Sequence, residues 1–226
     1  MERVERITPA YRAVMIVSTP AVRWWGRLEV SGLEHMPLGG PVLLAGNHDS
    51  YWDPIAVGLA GMPRRQIRAL AKSSLWKPGI GEVLDGMGQI PIDRGAGDAG
   101  ALSRAIEELR AGACIGIFPE GTRSLGRELR ARSGIGRLAQ AVPEAQIVCC
   151  TVQGTVDIPR FPASRPHVRV VFFPPAGGGL KDGEDPGVFS TRLVEEIRAR
   201  APIAIAGRRR ARALARARNK SPTAIA

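Results

Sequence analysis

At 226 residues the chain is long enough to bury a substantial core, and 44% hydrophobic with 23% charged residues reads as globular rather than disordered or fibrous. Its net charge of +11 is uneven, because residues 208–220 hold six arginines and Lys220 with no acidic residue, leaving +4 for the rest. Three cysteines, Cys114, Cys149 and Cys150, show neither a disulfide framework nor metal-ligand spacing, which fits small buried thiols in a reducing compartment.

Taken in chain order, the N-terminus does not read as a signal peptide, since Glu2 and Glu5 offset Arg3 and Arg6. No stretch reaches the roughly 18 to 20 apolar residues needed to span a bilayer; the best, 13–22, is bounded by Arg12 and Arg23 and interrupted by Pro20. Residues 8–29 mix Tyr11, Val14, Met15, Val17, Val22, Trp24, Trp25 and Leu28 with arginines, and Pro20 is expected to divide them into two short helices. These either pack on the core or lie in a membrane interface, where indole rings and cations meet headgroups. From Pro41 onward strand-like and helix-like stretches alternate. The fold expected is therefore α/β: a mixed, mainly parallel sheet covered by helices, with an N-terminal interfacial helical segment (1–30), an α/β domain (31–206) and a basic tail (207–226). Strands are expected at 42–45, 67–71, 89–92, 114–118, 147–152 and 168–173. Helices are expected at 99–111, with Leu102, Ile106 and Leu109 on one face, and at 186–200, with Phe189, Leu193 and Ile197 in line. Asp98 and Asp185-Pro186 are candidate caps. The basic run 208–220 contains no aromatic platform for base stacking, so an anionic membrane leaflet is the preferred partner over nucleic acid.

Two short segments carry chemistry. In Asn47-His48-Asp49-Ser50-Tyr51-Trp52-Asp53 a histidine base precedes an aspartate by five positions, which a continuous helix would place on different sides; a strand that ends and bends can bring them together. Asp53 then either supports His48 or, with Pro54 behind it, caps a helix. In Phe118-Pro119-Glu120-Gly121-Thr122-Arg123-Ser124 the glycine permits a turn after a strand. Arg123 supplies a fork suited to phosphate, and Glu120 is left to orient Arg123 or another cation, or to accept from a hydroxyl.

Together, in this order, the two segments resemble the N-H-x4-D and F-P-E-G-T-R-S signatures of the glycerolipid acyltransferases. The resemblance covers about residues 8–156. It implies His48 as general base supported by Asp53, with Lys72, Arg94, Glu120, Gly121, Thr122 and Arg123 binding substrate. Gln89-Ile90-Pro91-Ile92-Asp93-Arg94 is similar to the family's second block, where the arginine helps hold the acceptor phosphate; Lys72 is either a further point charge there or a solvated lysine. Arg132 and Gly134 lie where relatives carry lysine then glycine. Residues 147–155 resemble the block associated with the acyl donor, although relatives usually have a proline near Cys149.

The implied reaction moves a fatty acyl group from acyl-CoA or acyl carrier protein to the free hydroxyl of lysophosphatidate, giving phosphatidate, at the cytoplasmic face of a membrane and peripherally. It needs no cofactor or metal. The Pro-Glu-Gly-Thr-Arg-Ser form and Asn47 look closer to lysophosphatidate enzymes than to those acting on glycerol 3-phosphate. The alternatives are another lysolipid, glycerol 3-phosphate or a glycolipid as acceptor, or a non-catalytic membrane- or nucleic-acid-binding protein led by the basic tail.

Overall fold

The structure, a computed structural model, describes residues 6–93, 99–163 and 165–205. Its centre is a seven-stranded sheet made of β1 (Glu29–Ser31), β2 (Val42–Gly46), β3 (Ile67–Lys72), β4 (Ile90–Ile92), β5 (Cys114–Ile117), β6 (Gln146–Gln153) and β7 (Arg169–Phe173). The spatial order is β1-β7-β6-β2-β5-β3-β4, and every neighbouring pair is parallel except β6 with β7. A mixed, mainly parallel sheet is thus observed, and all six expected strands are present.

Parallel strands covered on both sides read as unbroken apolar runs. Accordingly β2 is buried along its whole length. Val42 and Leu44 face one core, shared with the N-terminal helix α1 (Pro9–Thr19) and with α2 (Asp53–Gly61). Leu43 and Ala45 face the other, which is completed by α4 (Ala99–Arg110), α5 (Gly134–Ala141) and α6 (Pro186–Arg200). A short helix α3 (Ile80–Gly86) lies beside α1, where Gly86 approaches Ala10. On α6 the Phe189, Leu193 and Ile197 stripe is buried as expected, and Asp185 caps the helix by accepting from the backbone N–H groups of Gly187 and Val188.

Some expectations change or fall outside the described residues. Pro20 does not divide the N-terminal segment: α1 continues through Pro20–Trp25 in a wider π-type winding, with Gly26 N–H donating to Ala21 O and Leu28 N–H to Arg23 O. A proline lacks the N–H that an α-helix would use, and the register change absorbs that loss without a break. On α4 the expected face is present: Leu109 is buried in the second core with Ala101 and Ala105, and Leu102 and Ile106 pack half-buried against the same core. The strand β1 went unforeseen. Asp98 and the basic run 208–220 lie outside the described residues.

The winding from α1 to Trp25 buries Tyr11, Met15 and Val22 against the first core. Its outer side exposes Ile16 (60%), Val17 (79%) and Trp24 (69%), flanked by exposed Arg12 and Arg23. Among the described residues no helix is long and apolar enough to cross a membrane.

Candidate active site

The site lies where β2 and β5 end side by side, with Ala45 paired to Ile117, so the loops that follow leave the same edge of the sheet. Strand order diverges here, since β2 has β5 on one side and β6 on the other, and open α/β sheets bind ligands outside the carboxyl ends at such a point.

After Gly46 the chain bends through residues 47–52 before α2 begins. Asn47 fixes the bend from below: its amide donates to Val152 O (2.8 Å) and its carbonyl accepts from Val152 N–H (2.8 Å) on β6. Asp53 opens α2 but does not cap it, since its side chain turns back upstream. Oδ2 accepts from the backbone N–H groups of Asp49 (2.6 Å) and Ser50 (2.7 Å) and lies 3.0 Å from His48 Nδ1. Oδ1 accepts from the hydroxyl of Thr155, at the turn that follows β6, and Ser50 Oγ donates to Thr155 O (3.2 Å). Of the two readings left open for Asp53, the helix cap is therefore set aside and the partnership with His48 is present.

Asp53 is fully buried and receives only donors, so it acts as a carboxylate and Nδ1 carries the imidazole proton. That leaves the Nε2 lone pair available. Nε2 has no partner among the described residues, and the side chain keeps about a tenth of its exposure. Phe118 stacks on the ring at 4.4 Å between centroids, so its orientation is held both in plane and face-on. Such an imidazole can take a proton from a hydroxyl brought to Nε2, and the carboxylate behind it stabilises the imidazolium as it forms.

The second loop is clasped to the first. His48 N–H donates to Glu120 Oε2 (3.0 Å), Ser124 N–H donates to His48 O (2.8 Å), and the Ser124 hydroxyl donates to Asp49 Oδ1. Gly121, at φ +72°, makes the turn in which its N–H donates to Phe118 O (2.9 Å), and a Cβ there would press on Arg132. Thr122 is exposed. Arg123 lies over the exposed Tyr51 ring, 3.4 Å from its centroid, and has no carboxylate partner among the described residues. Stacking leaves the in-plane N–H fork open, as anion binding requires.

Glu120 does not pair with Arg123. Its cation is Arg198 on the last turn of α6, which donates Nε to Oε1 (2.8 Å) and Nη2 to Oε2 (2.6 Å). The same guanidinium donates Nη1 to Asp49 Oδ2 (3.0 Å) and Nη2 to Asp49 Oδ1 (3.0 Å). Burial opposes this cation, but the hydrogen bonds it donates to Asp49 and Glu120 outweigh that cost and hold its pKa above the ordinary guanidinium value. Sequence reasoning missed Arg198, and it gave Thr155, Phe118 and Tyr51 no role.

Lys72 ends β3, exposed, paired in register with Ile92 of β4 at the same sheet edge; Arg94, two residues further on, lies outside the described residues. Burial pushes the Cys149 thiol up to about 12 and the Cys150 thiol well above its ordinary value, so neither is a ready nucleophile. No group of three or more His, Cys, Asp or Glu side chains able to hold a metal occurs among the described residues.

A family model described as Acyltransferase matches residues 27–160, which is more than half of the chain. The chain belongs to the acyltransferase family. It is 29% identical over 130 residues to a 1-acyl-sn-glycerol-3-phosphate acyltransferase of Bacillus subtilis, covering 57% of this chain and 64% of that protein. It is 38% identical over 108 residues to the Borreliella burgdorferi protein of the same name, covering 46% and 42% respectively. The chain thus spans less than two thirds of the length of these relatives. A crystal structure of the 1-acyl-sn-glycerophosphate acyltransferase PlsC from Thermotoga maritima superposes with a TM-score of 0.62 at 22% identity, covering 84% of this chain and 77% of that one, and shares the fold.

Proposed function

We propose that this acyltransferase moves a fatty acyl group from the thioester of acyl-CoA or acyl carrier protein to the free hydroxyl of lysophosphatidate, giving phosphatidate. The observation that carries the reading is the His48–Asp53 pair, with Nε2 left open, next to a loop whose Arg123 is stacked but not neutralised. In this mechanism Nε2 takes the proton of the acceptor hydroxyl as its oxygen attacks the thioester carbonyl. The tetrahedral intermediate then collapses by breaking the carbon–sulfur bond, and the imidazolium returns the proton to the departing thiolate. No acyl-enzyme is formed. Arg123, with Lys72 at the end of β3 and with Arg94, binds the acceptor phosphate, and relatives named for 1-acyl-sn-glycerol-3-phosphate favour that acceptor.

The outer side of the N-terminal helix supports a peripheral membrane location at the cytoplasmic face. Exposed Ile16, Val17 and Trp24 beside Arg12 and Arg23 have the chemistry of a segment lying in an anionic interface, and exposed Phe161 meets Trp25 edge-on at 4.8 Å.

Thiol release from acyl-CoA, with lipid mass spectrometry of the product, tests the reading against a panel of lysophosphatidate, glycerol 3-phosphate and an uncharged lysolipid. Phosphatidate should form fastest, and His48→Ala should abolish it with the melting temperature unchanged. Turnover by His48→Ala within a few-fold of wild type would refute the mechanism, and preference for another acceptor would reassign the substrate.

A further inference from the structure

Three carboxylates surround one imidazole, those of Asp49 and Glu120 in the two loops and Asp53 at the start of α2. Asp53 works directly on His48 Nδ1. The other two are nearly sealed from solvent, their side chains 2% exposed, and they converge on Arg198, itself 14% exposed. We propose that Arg198 is a positioning residue for acyl transfer, whose planar guanidinium locks the His48 loop to the Arg123 loop and offsets one of the two carboxylate charges beside the base. The inference rests on the acyl-transfer reading given above.

The geometry argues for a lock rather than a surface ion pair. Four donor contacts at 2.6–3.0 Å fix both carboxylates to one rigid fork, with Nη2 shared between them. Each carboxylate passes that constraint to the site. Glu120 Oε2 accepts the backbone N–H of His48 itself, and Asp49 Oδ1 accepts the Ser124 hydroxyl in the second loop. The chain beyond α6 adds to the contact, with Ala204 N–H reaching Asp49 Oδ2 (3.4 Å) and Ile205 packed over Gly126.

Charge gives the lock a chemical consequence. Asp49 and Glu120 face His48 from the two loops, Asp53 faces it from α2, and Arg198 reaches the pair from α6; Cys150 of β6, near Asp53, is kept protonated by burial. Without the guanidinium, two buried carboxylates are left face to face. While both stay ionised, the imidazole faces one more uncompensated negative charge than in the wild type, which favours imidazolium; uptake of a proton by one of them restores the original charge count. A protonated Nε2 cannot accept the hydroxyl proton, so activity is lost from the acid side first.

The test uses full-length protein with Arg198→Gln, Arg198→Lys and the double variant Arg198→Gln/Asp49→Asn, which removes one carboxylate together with the cation. The kcat–pH profile is measured with acyl-CoA and lysophosphatidate, and the imidazoles are titrated by NMR of histidine-labelled protein without substrate. The chain has three histidines, so His48 is assigned by its replacement and His35 and His167 serve as internal controls. Arg198→Gln should lower kcat about 10²-fold at neutral pH while the KM for acyl-CoA holds. The acid limb and the His48 titration should both move upward by about one pH unit, with the double variant recovering part of each change. Arg198→Lys should shift both in the same direction by less, since a point charge neutralises without locking. A His48 titration that stays in place in a folded Arg198→Gln protein would overturn the proposal whatever the activity. An inactive wild type whose variants still show the shift would instead refute the acyl-transfer reading.

Discussion

Replacing Asp53 by Asn separates two contributions that an aspartate makes to a histidine base. The two backbone N–H groups of Asp49 and Ser50 and the Nδ1–H of His48 all point at one oxygen, Oδ2. An asparagine must therefore put its carbonyl there, because the opposite orientation sets its amide against three donors. Its NH2 then faces Thr155, whose hydroxyl rotates from donating to accepting. The proton stays on Nδ1, Nε2 remains the base, and only the negative charge is lost. A unit charge about 4 Å from the imidazolium is worth about 4 kcal/mol at an effective dielectric constant near 20, and the amide dipole restores about 1 kcal/mol of it. The remaining ~3 kcal/mol predicts a fall in kcat of about 10²-fold. An aspartate-to-asparagine change that reverses the tautomer costs about 10⁴-fold. Asp53→Ala behaves differently, since it removes the acceptor of four buried donors, the N–H groups of Asp49 and Ser50, His48 Nδ1–H and the Thr155 hydroxyl, at about 1–3 kcal/mol each, a large share of a typical domain's stability. Thiol-release kinetics and thermal melts on both variants test the argument: the Asp53→Asn protein should melt within a few degrees of wild type and retain about 1% of kcat, whereas the Asp53→Ala protein should fail to fold stably. A 10⁴-fold loss in a well-folded Asp53→Asn protein would show that the amide orientation is wrong, and wild-type turnover would show that the charge does not matter.

Tyr51→Ala should raise the KM for lysophosphatidate about 3- to 10-fold with little change for acyl-CoA, because it frees Arg123, and Tyr51→Phe should be nearly silent because the ring face makes the contact; equal changes for both substrates would place Tyr51 outside acceptor binding. Arg192 hydrogen-bonds Glu184 and thereby draws its pKa from 4.5 to about 2, so the pair adds stability above pH 4.5 that disappears as pH falls through about 2. The melting-temperature deficit of Glu184→Gln should accordingly be widest near neutrality and close toward pH 2; a constant gap would contradict this. Deleting residues 208–226 should weaken binding to anionic vesicles in a salt-dependent manner, each basic residue near the surface contributing about 1 kcal/mol, while turnover of detergent-dispersed substrate survives; unchanged vesicle binding at low salt would remove the tail from membrane recognition.

What the sequence displayed and what it concealed divide along the range of the interactions. The strands beneath the site were legible because each is a local apolar run, buried on both faces in the case of β2. The His48–Asp53 contact was legible through five-residue spacing at a strand exit. By contrast β1 is three exposed residues held by pairing with Arg169, Val170 and Val171, 140 positions away, and nothing in Glu29-Val30-Ser31 announces it. Pro20 carried a local signal, but tertiary burial of Tyr11, Met15 and Val22 keeps the winding intact through a register change. Arg198 meets its acids 78 and 149 positions away and follows directly on the apolar stripe of α6, so in sequence it passes for a solvated helix-end cation. The usable signal was on the other side of the contact. Asp49 and Glu120 sit in loops leading directly from buried strands, and a carboxylate sealed from water requires a partner. Arg123 and Arg198 therefore belong to one site with opposite requirements: an arginine that binds a ligand anion has to be left without an internal carboxylate, and one that positions a loop has to be saturated with them. Residue type is identical in the two cases, and only the fold assigns the number of acids that each will meet.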